Sequence, residues 1–281
     1  RRTTRARTHF DTLEVEHPAF LTVPGLFKSL DAVCLFLSAL PCVRRLRRRF
    51  DFDLIDAHFG YPDGVAAVLL AWWFDRPVAI TLRGSELEMA RFRLRAAAMG
   101  WALRRADRVI AVSEPLAALA RSLGAPPERV RVIGNGVDLD RFRPMSRTAA
   151  RRELRIHDRV RLVVSIGHLA PVKGFDLLLR VLQPLAAERP DLKLVIVGGA
   201  APTSGGYPAR LAARVERLGL SGRVSITGTA DRRQVALWLN AADLFVLASE
   251  REGSSNALRE AMACGCPAVA SDVAAEVDKM V

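Results

Sequence analysis

Cysteine is scarce in this sequence, which excludes the architectures that depend on it. The 281 residues include 4 Cys, at positions 34, 42, 264 and 266, and no Cys-x-x-Cys spacing. These positions fit neither a zinc site nor a disulfide framework. We therefore expect reduced, mostly buried thiols, as in a cytosolic protein.

Long apolar runs are also missing. The longest covers residues 65–74, whereas a helix that spans a membrane needs roughly 18–20 apolar residues. The opening residues do not show the apolar core of a signal peptide. We therefore expect no spanning helix in this segment and a cytoplasmic location.

Lysine is rare although the chain is basic. Lys and Arg together number 42 against 30 Asp and Glu, a formal net charge of +12, yet the only lysines are at 28, 173, 193 and 279. The excess is spread over both halves and favours anionic partners, whether phosphates, acidic lipids or nucleic acid. A Lys at a ligand-binding position is informative in a chain that otherwise uses Arg.

What the sequence does contain is a regular alternation of short apolar runs and helix-length segments. Runs rich in Val, Ile and Leu are typical of a parallel sheet covered on both faces. Two such sets in series predict an α/β fold with doubly wound sheets. Strands are predicted at 13–16, 54–58, 78–82, 108–112, 130–133, 162–166, 192–197, 224–227, 244–247 and 268–270, and helices at 174–188, 207–218, 232–240 and 255–263, among others.

A connection between two domains is visible near residue 144. Asn-Gly-Val-Asp at 135–138 is a turn sequence, and Pro144 follows it. The polar stretch 145–161 then carries six Arg before the next apolar run. We predict one domain over residues 1–144 and a second over 145–281, opening with a short helix.

The segment 249–265 follows a predicted strand and turns through Gly and two Ser into a helix. Ligands of open α/β sheets bind at the carboxyl ends of strands, and a helix N-terminus there attracts phosphate. Glu252 lies in the turn, and Glu260 in the second helical turn, so each could address a different part of one ligand. The alternative is that Glu252 complements the helix dipole and Glu260 is solvated.

A second segment, 165–176, leaves the first strand of the second domain and enters a helix near Lys173. A lysine at such a loop is a compact charge suited to a phosphate. A solvated lysine at a helix start is the alternative.

Together with residues 135–138, these two segments resemble glycosyltransferase family 4, the large family of retaining enzymes with the GT-B fold. Glu252 and Glu260 match the family's E-x7-E motif, and Lys173-Gly174 matches its donor-phosphate lysine segment. The likeness runs from about residue 51 to residue 272. It implies two Rossmann-like β/α/β domains that face each other across a cleft, and a nucleotide-sugar-dependent glycosyltransferase.

The resemblance also implies roles for single residues. Glu260 would hold the ribose hydroxyls, Lys173 the diphosphate, and Glu252 the donor sugar, with Glu252 and Lys173 acting in catalysis. A UDP-, GDP- or ADP-sugar is the expected donor, and no cofactor or metal is expected, because Lys173 and a helix N-terminus can stabilise the leaving diphosphate. The remaining donor-binding residues would be Gly167, His168, Gly253, Ser254, Ser255 and Asn256.

Two positions depart from the family pattern. His168 stands where the family often has Arg, so its diphosphate contact should be weaker; a structural loop His is the alternative. Arg83 stands where many relatives have His, and with His58 it is assigned to the acceptor side. A surface arginine and a structural histidine are the alternatives there. The acceptor is expected to be a glycan, a lipid-linked or a small molecule, in cell-surface polysaccharide or glycoconjugate synthesis.

Two family elements have no counterpart in the sequence: the first strand with its Gly-rich loop, and the final helices. We therefore expect a fragment of a longer enzyme. A further tract, 32–43 followed by five Arg within 44–49, is either a basic amphipathic surface that docks on anionic lipid at the cytoplasmic membrane face or an ordinary helix packed on the sheet. We favour the packed helix.

Other functional classes are less well supported. A nucleic-acid-binding protein would explain the charge, but the arginines lack aromatic interleaving and no binding motif occurs. No G-x-G-x-x-G lies at a strand–helix turn, which argues against a dinucleotide-dependent oxidoreductase. A noncatalytic GT-B relative that acts as a partner protein stays open.

Overall fold

The computed structural model describes residues 7–10, 13–19, 28–201 and 204–272. The chain divides into two compact units, Arg1–Gly134 and Asn135–Val281. This division precedes the turn at 135–138, whereas the sequence places the boundary after Pro144. Within the described ranges, no helix combines the length and the apolarity needed to cross a bilayer.

The first unit contains a two-stranded antiparallel ribbon that the sequence does not predict. Strand β1 (Arg7–Phe10) pairs with β2 (Leu13–Glu16), and neither joins the parallel sheet. The expectation that 13–16 belongs to a parallel sheet is therefore wrong. The sequence Leu-Glu-Val-Glu alternates apolar and charged residues. This pattern is typical of a strand with one solvent-exposed face, whereas a strand of a parallel sheet is covered on both faces.

The parallel sheet of the first unit has four strands in the order β3-β4-β5-β6. Its central strand β4 is Val-Ala-Ile-Thr-Leu, and all five residues are buried because helices cover both faces of the sheet. The strands are β3 (Ile55–His58), β4 (Val78–Leu82), β5 (Arg108–Ala111) and β6 (Val130–Val132), and the helices are α1 (Asp31–Arg47), α2 (Val65–Phe74), α3 (Glu86–Met89), α4 (Arg93–Arg105) and α5 (Glu114–Ser122).

The second unit has a five-stranded parallel sheet in the order β11-β10-β7-β8-β9. Successive residues of the strand Leu192–Val197 pack into different core clusters: Leu194 and Ile196 lie in one, and Val195 and Val197 in the other. The strands are β7 (Arg161–Ile166), β8 (Leu192–Val197), β9 (Val224–Ile226), β10 (Leu244–Leu247) and β11 (Ala268–Ala270), and the helices are α6 (Arg147–Glu153), α7 (Phe175–Glu188), α8 (Tyr207–Arg217), α9 (Arg232–Ala241) and α10 (Asn256–Ala263).

These bounds agree with the predicted ones to within one residue at each end, and they confirm two Rossmann-like α/β units with parallel sheets. None of the four cysteines forms a disulfide. Cys264 and Cys266 are buried, whereas Cys34 and Cys42 are partly exposed. Helix α1 is the packed helix that the sequence favours, with Ala32 and Leu40 in the core.

A buried ion pair joins the start of the second unit to its sheet. The Arg151 guanidinium, whose side chain is 4% exposed, donates to Asp243 Oδ2 at 2.7 Å and to the carbonyls of Ala241 and Asp158. The same Asp243 oxygen accepts the backbone N–H of Leu162 at 2.7 Å. One carboxylate thus connects α6, β7 and β10.

We expect Asp243→Ala to lower the free energy of unfolding of the second unit by about 3–5 kcal/mol, because Arg151 would keep its charge in a buried position without a counterion. Chemical denaturation measures the loss. Glu153→Ala is the control: it removes the exposed ion pair with Arg233 and should cost less than about 1 kcal/mol. Equal losses in the two variants would contradict this account.

Candidate active site

The second unit contains a cavity of about 570 Å³ at the carboxyl ends of its strands. Loops that follow β7, β8, β9 and β10 line it, together with the first turns of α10. This is the edge of an open α/β sheet where ligands bind. The predicted donor residues that line the cavity are Gly167, His168, Lys173, Glu252, Ser254, Ser255, Asn256 and Glu260.

The structure does not bring every predicted site residue to this cavity. Gly253 is in the same loop but is not part of the lining, and His58 and Arg83 belong to the other unit. The part of the cavity lining formed by Gly198 and Gly199 after β8 was not predicted from the sequence. Two glycines directly after a buried strand are the signal that could have indicated it.

The glycines allow the loops to approach closely. A Cβ atom on Gly198 would stand 1.8 Å from the carbonyl oxygen of Gly167, so any side chain there would push the two loops apart. Gly174 has φ of +67°, and a Cβ on it would stand 1.9 Å from the carbonyl oxygen of Ala248. Glycine at 174 therefore lets the chain enter α7 directly beneath the loop that carries Glu252.

Two of the predicted residues that line the cavity form an ion pair. Lys173 Nζ donates to Glu252 Oε1 at 2.7 Å, and the hydroxyl of Ser249, which is buried, donates to the same oxygen at 2.6 Å. The Lys173 and Glu252 side chains are 25% and 10% exposed. The backbone N–H of Glu250 also donates to the carbonyl of Val172 at 2.8 Å. These contacts hold the two loops together.

Glu260 stands in a different environment. It lies on α10, faces the cavity and is half-buried, and no group of the described residues donates a hydrogen bond to its carboxylate. Burial raises the pKa of Glu260, and the charge of Arg232 opposes that shift in part. A carboxylate that loses water without gaining a donor is costly to the fold and available to a ligand.

The N-terminal end of α10 lies beside these carboxylates. Ser255 caps the helix by accepting the backbone N–H of Leu258 at 3.3 Å, and the Asn256 side chain accepts a hydrogen bond from Asn135 at 2.9 Å. Ser254, Ser255 and Asn256 all line the cavity. The positive end of the helix dipole therefore faces it, as anion binding requires.

In the first unit, His58 and Arg83 are neighbours at the carboxyl ends of β3 and β4. An Arg83 guanidinium nitrogen lies 3.3 Å from His58 Nδ1, and His58 Nε2 lies 3.4 Å from the Asp56 carboxylate. Both His58 and Arg83 are exposed. Together they present a basic group beside an imidazole at this edge of the sheet.

The loops that carry these two side chains are held by Glu86, which the sequence analysis did not single out. Its fully buried carboxylate accepts the backbone N–H groups of Gly60, Arg83 and Gly84 at 3.0, 3.2 and 2.7 Å. One side chain thus fixes the loops after β3 and β4. Among the described residues, no group of three His, Cys, Asp or Glu could hold a metal ion.

The Glu260 environment predicts a stability cost that depends on pH. An unfolded chain loses the Glu260 proton near the ordinary glutamate pKa of about 4.3, and the folded chain loses it at a higher pH. Between these values the folded state binds more protons, so stability falls as the pH rises. We expect Glu260→Gln to unfold at a higher temperature than the parent at pH 7, and the difference to disappear at pH values below both pKa values.

Thermal unfolding measured across this pH range tests the expectation. Glu216→Gln, which changes an exposed glutamate of α8, should leave the parent curve unchanged at every pH. A Glu260→Gln variant less stable than the parent at neutral pH would show that the ionised carboxylate is stabilised in the fold.

Comparisons with known proteins match both halves of the chain to glycosyltransferases. Residues 6–141 match the family model described as Glycosyltransferase Family 4, and residues 146–280 match the model described as Glycosyl transferases group 1. The D-inositol 3-phosphate glycosyltransferase of Thermobispora bispora is 30% identical over 280 residues, which cover 92% of this chain and 65% of that protein. D-inositol 3-phosphate glycosyltransferase 2 of Catenulispora acidiphila is 36% identical over 173 residues, 60% of this chain and 40% of that protein.

Solved structures share the architecture. The UDP complex of Anabaena Alr3699/HepE has a TM-score of 0.71 at 26% identity, over 83% of this chain and 64% of that one. Sucrose-phosphate synthase from Thermosynechococcus elongatus has a TM-score of 0.84 at 21% identity, over 100% of this chain and 71% of that one. This chain spans less than two thirds of the length of the two curated relatives above. Residues 6–141 and 146–280 therefore each belong to a glycosyltransferase domain family, and the two α/β units have the fold of GT-B enzymes.

Proposed function

We propose that the cavity of the second unit binds a nucleotide-diphosphate sugar and that the protein transfers the sugar with retention of anomeric configuration. The observation that carries the proposal is Glu260, a half-buried carboxylate that faces the cavity and receives no hydrogen bond from the described residues. Vicinal hydroxyls, as in ribose, are the donors that such a carboxylate binds well. The UDP complex of Anabaena Alr3699/HepE supports a uridine nucleotide as the first to test.

The other end of the donor would be bound by positive charge. The diphosphate would lie between Lys173 and the N-terminal end of α10, where backbone N–H groups and the helix dipole favour an anion. When the bond between sugar and diphosphate breaks, negative charge accumulates on the leaving oxygen. Lys173 and the helix end would stabilise that charge from fixed positions, and no metal ion is needed for this step.

Glu252 has two parts in the proposal. Its Oε1 holds Lys173 in position through the 2.7 Å ion pair, and Ser249 fixes that same oxygen. The carboxylate also lines the cavity, where it would accept hydrogen bonds from the hydroxyls of the donor sugar. Gly167 and His168 would lie beside the diphosphate from the loop after β7.

The acceptor is assigned to the first unit. Exposed Arg83 beside His58 would suit a phosphate or another acidic group, since a guanidinium binds such oxygens in pairs. The curated relatives are named for D-inositol 3-phosphate, a small acceptor of that chemistry, which makes it the first acceptor to assay. Glycan and lipid-linked acceptors, polysaccharide synthesis and a cytoplasmic location stay predictions.

We expect Glu260→Ala to weaken the binding of UDP about 10- to 150-fold, because a hydrogen bond to a charged group contributes about 1.5–3 kcal/mol. Titration calorimetry measures the change. Glu216→Ala, an exposed change on α8 outside the cavity, is the control and should bind as the parent does. Parent affinity in Glu260→Ala would refute the ribose assignment.

We expect Lys173→Ala to reduce the turnover of the donor more than Lys173→Arg does, because a positive charge at the diphosphate is the essential requirement. The measurement is kcat at saturating donor. Lys193→Ala removes another of the four lysines, an exposed residue of β8, and should keep the parent rate. Parent turnover in both Lys173 variants would overturn the role given to this lysine.

A further inference from the structure

Helices α1, α2 and α4 of the first unit end at the same edge of its sheet. Helix α1 leads into β3, α2 into β4 and α4 into β5, and these strands run parallel. The C-terminal ends of the three helices therefore gather where the strands begin. His58 and Arg83 lie at the opposite edge, where β3 and β4 end.

Aromatic side chains are exposed at this helix-end edge. Trp72 and Trp73, in the last turn of α2, are 58% and 54% exposed. The Trp72 ring meets the Trp101 ring of α4 edge to face, with centroids 5.3 Å apart. Two adjacent tryptophans that are more than half exposed are unusual on a surface that only faces water, since the indole ring has a large apolar body.

Arginines cover the faces of these rings. The Arg44 guanidinium of α1 lies 4.5 Å from the Trp73 ring centre, and that of Arg105 lies 4.8 Å from the Trp101 ring centre and 5.6 Å from that of Trp72. The helix dipole favours arginines in the last turn of a helix, but it does not account for the tryptophans.

The charge around these residues is positive on balance: besides Asp51, the exposed acidic residues at this edge are Asp53, Asp75 and Asp107, and the exposed arginines are Arg44, Arg48, Arg49, Arg104, Arg105 and Arg108. Arg48 and Arg49 follow α1 directly and are exposed. The next acidic residue, Asp51, forms ion pairs with Arg47 and Arg76. It therefore does not neutralise the charge of Arg48 or Arg49.

We propose that this tryptophan–arginine surface (Arg44, Trp72, Trp73, Trp101 and Arg105) docks on the surface of an anionic lipid bilayer. Indole rings partition to the boundary between headgroups and acyl chains, because the apolar ring contacts the acyl chains while its N–H group stays hydrated. Guanidinium groups bind lipid phosphates in pairs of hydrogen bonds. The surface thus offers an apolar anchor and a counterion for the headgroup side by side, as peripheral membrane contacts require.

The arrangement favours a bilayer over nucleic acid as the occupant. Single-stranded nucleic acid binds tryptophan by stacking bases on the ring faces, and here guanidinium groups lie over those faces. A bilayer needs only the outer ring edges to enter the headgroup region. This surface also differs from the tract 32–49 considered in the sequence, because two of its three helices lie outside that tract.

Co-sedimentation of the protein with vesicles tests the proposal without any assay of sugar transfer. We expect binding to vesicles of phosphatidylcholine mixed with phosphatidylglycerol, little binding to phosphatidylcholine alone, and release as the salt concentration rises. Trp73→Ala with Arg44→Ala should weaken binding about tenfold or more. Phe92→Ala with Arg95→Ala is the matched control, since Arg95 lies 4.4 Å from the Phe92 ring centre at the start of α4, at the opposite edge.

A second measurement keeps the test independent of any folding defect in the variants. Brominated acyl chains should quench the fluorescence of the unmodified protein, and Trp72→Phe with Trp73→Phe should remove most of that quenching. Three outcomes would each overturn the proposal. The protein could bind both kinds of vesicle equally, or the variant with Trp73→Ala and Arg44→Ala could bind as the parent does. The third is binding of single-stranded RNA without binding of the mixed vesicles.

Discussion

The structure depends on one constraint: the strands of a parallel sheet must all be entered from the same edge. Each connecting helix therefore returns the chain to that edge, and the loops that follow the strands all lie at the opposite edge of the sheet. In the second unit this brings together loops that lie far apart in the chain. Lys173 follows β7 and Glu252 follows β10, yet their charged atoms are 2.7 Å apart. In the first unit the same constraint collects helix ends from α1, α2 and α4.

Much of this framework follows from the sequence because its local signals agree with the fold. Strand β4 has four apolar residues and Thr81, and all five are buried, so the apolar pattern agrees with the burial. Gly174 marks the entry to α7 both in the sequence and in its left-handed backbone. The sequence places Lys173 in the loop after one strand and Glu260 in the helix that follows another, and both line the cavity.

The rest could not be predicted because it consists of contacts between distant residues. The antiparallel pairing of β1 with β2 depends on a partner strand that the local pattern of 13–16 does not specify. The sequence places Lys173 and Glu252 at a ligand but does not show that they bind each other, or that Ser249 fixes the shared oxygen. Glu86 reads as an ordinary helix-start glutamate until its three backbone partners are known.

The ion pair between Lys173 and Glu252 has a consequence for discrimination among anions. The Lys173 ammonium is paired with a Glu252 oxygen at 2.7 Å, so a small anion such as inorganic phosphate must compete with that carboxylate for the lysine. In the proposed complex, a nucleotide-diphosphate sugar would offer hydroxyls to Glu252 and Glu260 together with its phosphates, and it would therefore replace the interactions that it disturbs. A ligand without these hydroxyls cannot replace the ion pair between Lys173 and Glu252, so the ion pair selects against it. Such selectivity would disfavour the binding of inorganic phosphate, which is abundant in cells.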